Sequence, residues 1–132
     1  MYLADYHMHS KYSFDGSEEL DTICQTAIRR GLSEIAITDH MDIYTGLPYD
    51  EQMNFDVPGG EQHHMDAVGL YKELCNMKEK YAGQLKVRIG AELGQPQVNP
   101  EAAELFMKDY GDVLDFVIGS IHNMEKDLDV YY

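Results

Sequence analysis

Six side chains stand out by type and position: His7, His9, Asp15, His40, Glu92 and His122. The first three fall in one stretch, DYHMHSKYSFDG at residues 5–16, at the end of a short apolar run. Imidazole nitrogens and carboxylate oxygens are ligands for Zn, Mn or Fe, and a carboxylate can bridge two ions. His7 and His9, two apart on an extended chain, point to the same side and could grip one ion together. Asp15, at the tip of the loop that follows, could reach a neighbouring ion. Taken singly, a histidine at a strand end is more often a hydrogen-bonded structural residue, and Glu92 a surface or helix-capping carboxylate. A metal site is the economical reading only if the fold brings all six together.

The elements that would do so can be read from periodicity. YLADY at residues 2–6 reads as a strand leading into the first two histidines. SEELDTICQTAIRRG at residues 17–31 reads as a helix, with Ser17 as N-cap, Glu18 and Glu19 at the positive end of its dipole, Arg29 and Arg30 at the negative end, and Gly31 as a left-handed stop. Leu20, Ile23, Cys24, Ala27 and Ile28 share one of its faces. SEIAITDH follows as a second strand whose apolar run ends at Thr38, with Asp39 and His40 just past it. Residues 41–60, with Gly46, Pro48, Pro58, Gly59 and Gly60, show neither period and read as a long loop, of the kind that is usually functional or disordered.

Helical spacing returns over residues 61–82 through Val68, Tyr71, Leu74, Cys75 and Tyr81. His63 and His64, at the start of that segment with Glu61 and Asp66, read as exposed or capping residues outside the ligand pattern. KVRIGAELG is a third strand, ending at Glu92, and NPEAAELFMKDYG a helix with Asn99 as cap, Pro100 at its first position and Gly111 at its end. LDFVIGSIH is a fourth strand ending at His122. This alternation implies an α/β fold of parallel strands joined by right-handed crossovers. The carboxyl ends of parallel strands share one face, where such folds place their active sites. All four strand ends carry a candidate ligand.

With 132 residues and 44% apolar content, the chain fits one domain with a packed core. Ten basic residues against twenty-four acidic ones give a net charge of −14, a surface that repels nucleic-acid phosphates, while converging carboxylates attract divalent cations. No apolar run approaches the roughly 18 residues of a membrane span, and the N-terminus lacks the features of a signal peptide, so a cytoplasmic location with no membrane partner is expected. Cys24 and Cys75 both fall on apolar helix faces and read as free core thiols.

The segments DYHMHSKYSFDG, AITDHMD, GAELGQP and GSIHNM run through the whole chain. In them the sequence resembles the PHP superfamily of metal-dependent phosphoesterases, and within it the histidinol-phosphatase branch. HMH and TDH are shared across the superfamily, whereas YSFDG and ELGQP look closer to the phosphatases. The resemblance implies a distorted (β/α)7 barrel holding up to three divalent ions (Zn, Mn or Fe). By position, His7, His9 and Glu92 would hold one ion, Glu92 and His122 a second, and Asp15 and His40 a third. Many relatives have His where Asp15 stands, which gives the third site a harder ligand set. Asp39, beside His40, is a candidate to orient that ligand from behind or, equally, a turn-forming aspartate.

The resemblance further implies hydrolysis of histidinol phosphate to histidinol and phosphate in histidine biosynthesis. The ions would acidify a water, polarise the phosphoryl oxygens and outweigh the acidic surface around an anionic ester. Relatives supply another histidine after the fourth-strand motif and an Asp-x-His pair near the end of the barrel. Residues 1–132 therefore match a truncated barrel, about four βα units from its N-terminal portion, where a complete (β/α)8 barrel takes about 250 residues. Such a chain is expected to be weakly active or inactive alone. Its open edge should favour self-association or a complementary C-terminal half. Two other readings stand beside this one. The first is a non-catalytic metal-binding or interaction module completed by a second polypeptide. The second is a PHP-type nuclease or proofreading phosphoesterase, against which the lack of a basic groove weighs.

Overall fold

A computed structural model describes residues 1–44, 47–51, 54–57, 61–124 and 128–129. In chain order the elements are β1 (Ala4–Met8), α1 (Leu20–Arg29), β2 (Glu34–Ile37), β3 (His40–Asp42), β4 (Asn54–Val57), β5 (Glu61–His64), α2 (Ala67–Lys80), β6 (Lys86–Gly94), α3 (Pro100–Tyr110), β7 (Phe116–Ser120), β8 (Asn123–Met124) and β9 (Leu128–Asp129).

The nine-residue strand β6 organises the sheet. Its first half pairs in parallel with β2, from Glu34↔Lys86 to Ile37↔Ile89, and its second half with β3, where His40 lies opposite Glu92. On its other side β7 runs parallel from Gly90↔Phe116 to Gly94↔Ser120, and β1 extends the sheet beyond β2. Alternation sorts the β6 side chains. Val87, Ile89, Ala91 and Leu93 enter the apolar core with Leu70 and Leu74 of α2, so Arg88 and Glu92 must point to the opposite face. The parallel ladder expected from the alternation of elements is thus the one observed.

The sheet is curled rather than flat. Strands β1 and β7 are separated by β2 and β6, which in a flat sheet would put them about 14 Å apart. Yet the rings of Tyr6 on β1 and Phe116 on β7 meet with centroids 5.4 Å apart. The curl makes the face opposite the helices concave, and Glu92 lies on it.

Several local expectations are corrected. Helix α1 begins at Leu20 with Glu19 as N-cap, not Ser17, because the Lys11 N–H donates to the Glu18 carbonyl (2.9 Å) and keeps the preceding residues in the loop. His40 does not trail the second strand but opens β3. The segment read as a loop over 41–60 contains β3 and β4, and residues 61–64, read as the start of a helix, form β5 paired antiparallel with β4. Gly46, Pro58, Gly59 and Gly60 lie outside the described residues, as do the side chains of Glu61, His63 and His64. Helix α2 is capped by Asp66, whose carboxylate accepts the Gly69 N–H, and it buries Ala67, Leu70, Tyr71, Leu74 and Met77. That stripe leaves Val68 and Cys75, seven positions apart, on the solvent side, contrary to the expected face. Cys24 is buried as expected, and burial pushes its thiol up to about 11. Asn99 caps α3 through the Ala102 N–H, with Pro100 at the first position. Among the described residues no helix is long and apolar enough to cross a membrane.

At the amino ends of the strands a second polar layer closes the concave face. Glu34, its side chain 3% exposed, accepts from Arg88 Nε (2.6 Å), the Tyr6 hydroxyl (2.7 Å) and the Tyr2 hydroxyl. Arg88, then Tyr2 and Tyr6, hold the Glu34 carboxyl down to about 2 from its ordinary 4.5. Because the folded value is depressed, the ionised carboxylate stabilises the fold above pH 4.5, and that contribution is lost as pH falls through 2. Glu34→Gln should therefore melt below the parent at neutral pH, with the gap narrowing as both are acidified across that window. A gap that does not change with pH would mean that the carboxylate charge contributes nothing.

Candidate metal centre

The turn after β1 sets the first part of the site. The Ser13 N–H donates to the Ser10 carbonyl (3.0 Å) and the Gly16 N–H to the Ser13 carbonyl (3.1 Å), two successive turns that bring Asp15 back over His9. Any Cβ at Gly16 would lie 2.0 Å from the Ser10 carbonyl oxygen, so only glycine closes this loop. Asp39, 1% exposed, secures the same turn: it accepts the Ser10 N–H (2.6 Å) and Ser10 Oγ (2.7 Å). Burial raises the Asp39 carboxyl above its ordinary value, against those hydrogen bonds. The His40 N–H in turn donates to Ser13 Oγ (2.8 Å). The hydrogen bonds of Asp39 thus go to the loop that carries His9 and Asp15, and through Ser13 that loop meets His40.

Glu92 stands at the middle of the cluster with 4% side-chain exposure. Its Oε2 lies 3.0 Å from His7 Nε2 and 2.9 Å from His9 Nε2, while its Oε1 lies 2.9 Å from His122 Nε2. His9 Nδ1 reaches Asp15 Oδ2 at 2.9 Å, and His40 Nε2 approaches the same oxygen at 3.3 Å. His122 Nδ1 meets Asp42 Oδ1 at 2.9 Å. The imidazoles follow one another edge to face, with centroids 5.1 Å apart for His7 and His9, 4.4 Å for His9 and His40, and 4.6 Å for His40 and His122. All six residues singled out in the sequence are brought to one place.

Asp42 was missed. It is buried at the end of β3, two residues after His40, and the reasoning that paired His7 with His9 applies to it equally. The signal was lost because the apolar run of the second strand stops at Thr38, which hid the strand that resumes at His40. Gly94, opposite Asp42 in the β3–β6 register, leaves room for it: a Cβ there would fall 2.1 Å from Asp42 Oδ1 and 3.0 Å from His122 Nδ1.

The carboxylates and imidazoles of the cluster shift one another's ionisation. Burial opposes ionisation of Glu92, but His7, His40 and His122 outweigh it and hold the carboxyl below its ordinary value. Asp42, and then Glu92, push His122 up to about 9. Burial works against the charged form of His40, and Asp42, Glu92 and Asp15 overcome it and raise its pKa. An imidazole with a carboxylate at each nitrogen, as at His9 and His122, can donate to both only as the imidazolium. A divalent cation between nitrogen and oxygen meets the same demand.

His40 Nδ1 supports this fit. It is buried without a hydrogen-bond partner, 3.5 Å from Asp42 Oδ1 and 3.7 Å from Glu92 Oε2. Among the described residues, three sets of donor atoms lie mutually within 4.8 Å: His7, His9 and Glu92; His9, Asp15 and His40; and His40, Asp42 and His122. The donors are nitrogen and oxygen without sulfur, a set suited to Zn, Mn or Fe.

The family model for the PHP domain matches residues 5–132. A histidinol-phosphatase of Lactococcus lactis subsp. lactis (strain IL1403) is 28% identical over 127 residues, which cover 96% of this chain and 41% of that protein. A histidinol-phosphatase of Bacillus subtilis (strain 168) is 26% identical over 124 residues, 93% of this chain and 45% of that one. The crystal structure of histidinol phosphate phosphatase from Lactococcus lactis subsp. lactis Il1403, complexed with Zn, L-histidinol and phosphate, matches with a TM-score of 0.72 at 26% identity, over 94% of this chain and 41% of that one. The chain spans less than half the length of these relatives.

Proposed function

The chain belongs to the PHP domain family, and on that premise we propose that it carries the metal-binding face of a phosphomonoesterase that hydrolyses histidinol phosphate to histidinol and phosphate. One observation carries the reading: the two oxygens of Glu92 face different imidazoles, His7 and His9 on one side and His122 on the other. That is the arrangement of a carboxylate shared between two cations. His7, His9 and Glu92 would hold one ion, Glu92 and His122 a second, and Asp15 with His40 a third. Bound there, divalent ions supply Lewis-acid polarisation of phosphoryl oxygens and acidify a water at neutral pH.

The chain's own residues do the rest. Asp39 and Ser13 fix the loop and β3 relative to each other, so His9, Asp15 and His40 need no rearrangement to converge. Glu92 and Asp42 form the buried floor of the site. His7 and Asp15, with side chains 55% and 41% exposed, form the open rim through which an anionic ester would enter. The partner is accordingly a small phosphate ester. Association of the open β1 and β7 edges with a second copy or a complementary segment belongs to the same reading.

Phosphate release measured with Mn or Zn tests the assignment. Histidinol phosphate should be turned over in preference to p-nitrophenyl phosphate, and single-stranded DNA left intact. Because the chain spans 41–45% of its relatives, the 132-residue chain in isolation should reach only a small fraction of their rate. DNA cleavage without phosphomonoester hydrolysis would overturn the reading in favour of a nuclease.

A further inference from the structure

Gln95 has a conformation that its side chain does not favour. Its φ of 38° is the one positive value among the described non-glycine residues, in the left-handed region where glycine is the default. Strain of this kind persists only where the surroundings over-determine it. Here the side chain is fully buried, and its Oε1 accepts the His122 N–H at 3.0 Å. The amide orientation is not arbitrary. A backbone N–H can only donate, so the oxygen must face it, and Nε2 is then left buried without a partner.

The position explains what the bond achieves. The β6–β7 ladder ends at Gly94↔Ser120, and the Gln95 N–H donates to the Ser120 carbonyl (2.7 Å) as the strands part. His122, two residues further, has left the ladder. Its ring is held by Asp42 and Glu92, and its main chain by Gln95.

We infer that Gln95 is a positioning residue for His122, holding that ligand's main chain so that its ring spans Asp42 and Glu92. The inference rests on the proposed metal reading for its consequence, but not for its geometry. Two measurements separate them. The first uses metal-free protein: ring-nitrogen NMR of His122 in the parent, Gln95→Gly and Gln95→Asn. The parent should show one fixed ring state, and both variants an averaged one. Glycine relieves the backbone but also removes a fully buried side chain, so the melting temperature of each variant is recorded beside its spectrum to establish that folded proteins are being compared. Asparagine keeps an amide on a shorter arm and guards against a glycine-specific effect.

The second is a Zn titration against a chromophoric chelator. Loss of the tether should weaken the ion bound through His122 by about tenfold or more and leave the His7–His9 ion unchanged. An unaltered His122 ring signal in both variants would overturn the inference whatever the metal result. A parent that binds no metal yet loses its fixed ring state in Gln95→Gly would overturn the metal reading and leave the inference standing.

Discussion

Glu92→Gln is expected to weaken metal binding throughout the cluster by at least about 100-fold, the upper end of what even an outer-shell partner costs. Glutamine matches the shape of glutamate but offers one neutral carbonyl in place of two anionic oxygens. Both oxygens are used, Oε2 between His7 and His9 and Oε1 against His122. The Glu92 side chain is itself only 4% exposed, so water does not replace the lost charge at low cost. A chelator competition titration checks this. If Glu92 is a shared ligand, ions on both the His7–His9 and the His122 sides are lost together. Loss on one side alone would mean that the carboxylate serves a single ion.

Asp42→Asn should act more selectively, weakening the ion on the His122 side by about 10- to 100-fold. Asp42 Oδ1 lies 2.9 Å from His122 Nδ1, which leaves Nε2, 2.9 Å from Glu92 Oε1, as the nitrogen that faces an ion. A carboxylate behind an imidazole fixes its tautomer and raises its basicity, and an asparagine does neither reliably. The same titration separates two roles. A graded loss on the His122 side marks Asp42 as the orienting partner. Complete loss of an ion would instead make it a direct ligand with His40 and His122, whose donor atoms also lie within 4.8 Å of one another. An unchanged affinity would leave Asp42 as packing alone.

The fold was legible where local signals agree. Strand β6 is legible because Val87, Ile89 and Ala91 alternate cleanly with polar or small residues, although it runs on to Gly94, two residues past the end expected at Glu92. Helix α3 carried cap, proline and closing glycine together. What failed lacked an apolar period. The β4–β5 hairpin includes EQHH, a polar strand that composition cannot distinguish from a helix start. Strand β3 is three residues long and depends on β6 for its partners, so nothing local to HMD announces it.

The site was more legible than the fold around it. A ligand's chemistry is written in its residue type, whereas Asp42 and Gln95 act through what they hold. Gln95 gave no signal because its left-handed backbone and its grip on His122 exist only once β6 and β7 are paired. Ser10 and Ser13 were passed over for a similar reason. Their roles follow from Asp39 and His40 arriving beside them from the next strand.

The most direct test is metal content per chain by elemental analysis, after loading with Zn or Mn and exhaustive dialysis, for the parent protein and for His7→Ala, His122→Ala and Glu92→Gln. The account predicts two or more ions in the parent, one fewer in each histidine variant, and loss on both sides in Glu92→Gln. A parent that retains no ion, or histidine variants that retain the full complement, would contradict the claim that these strand ends form a metal cluster bridged by Glu92.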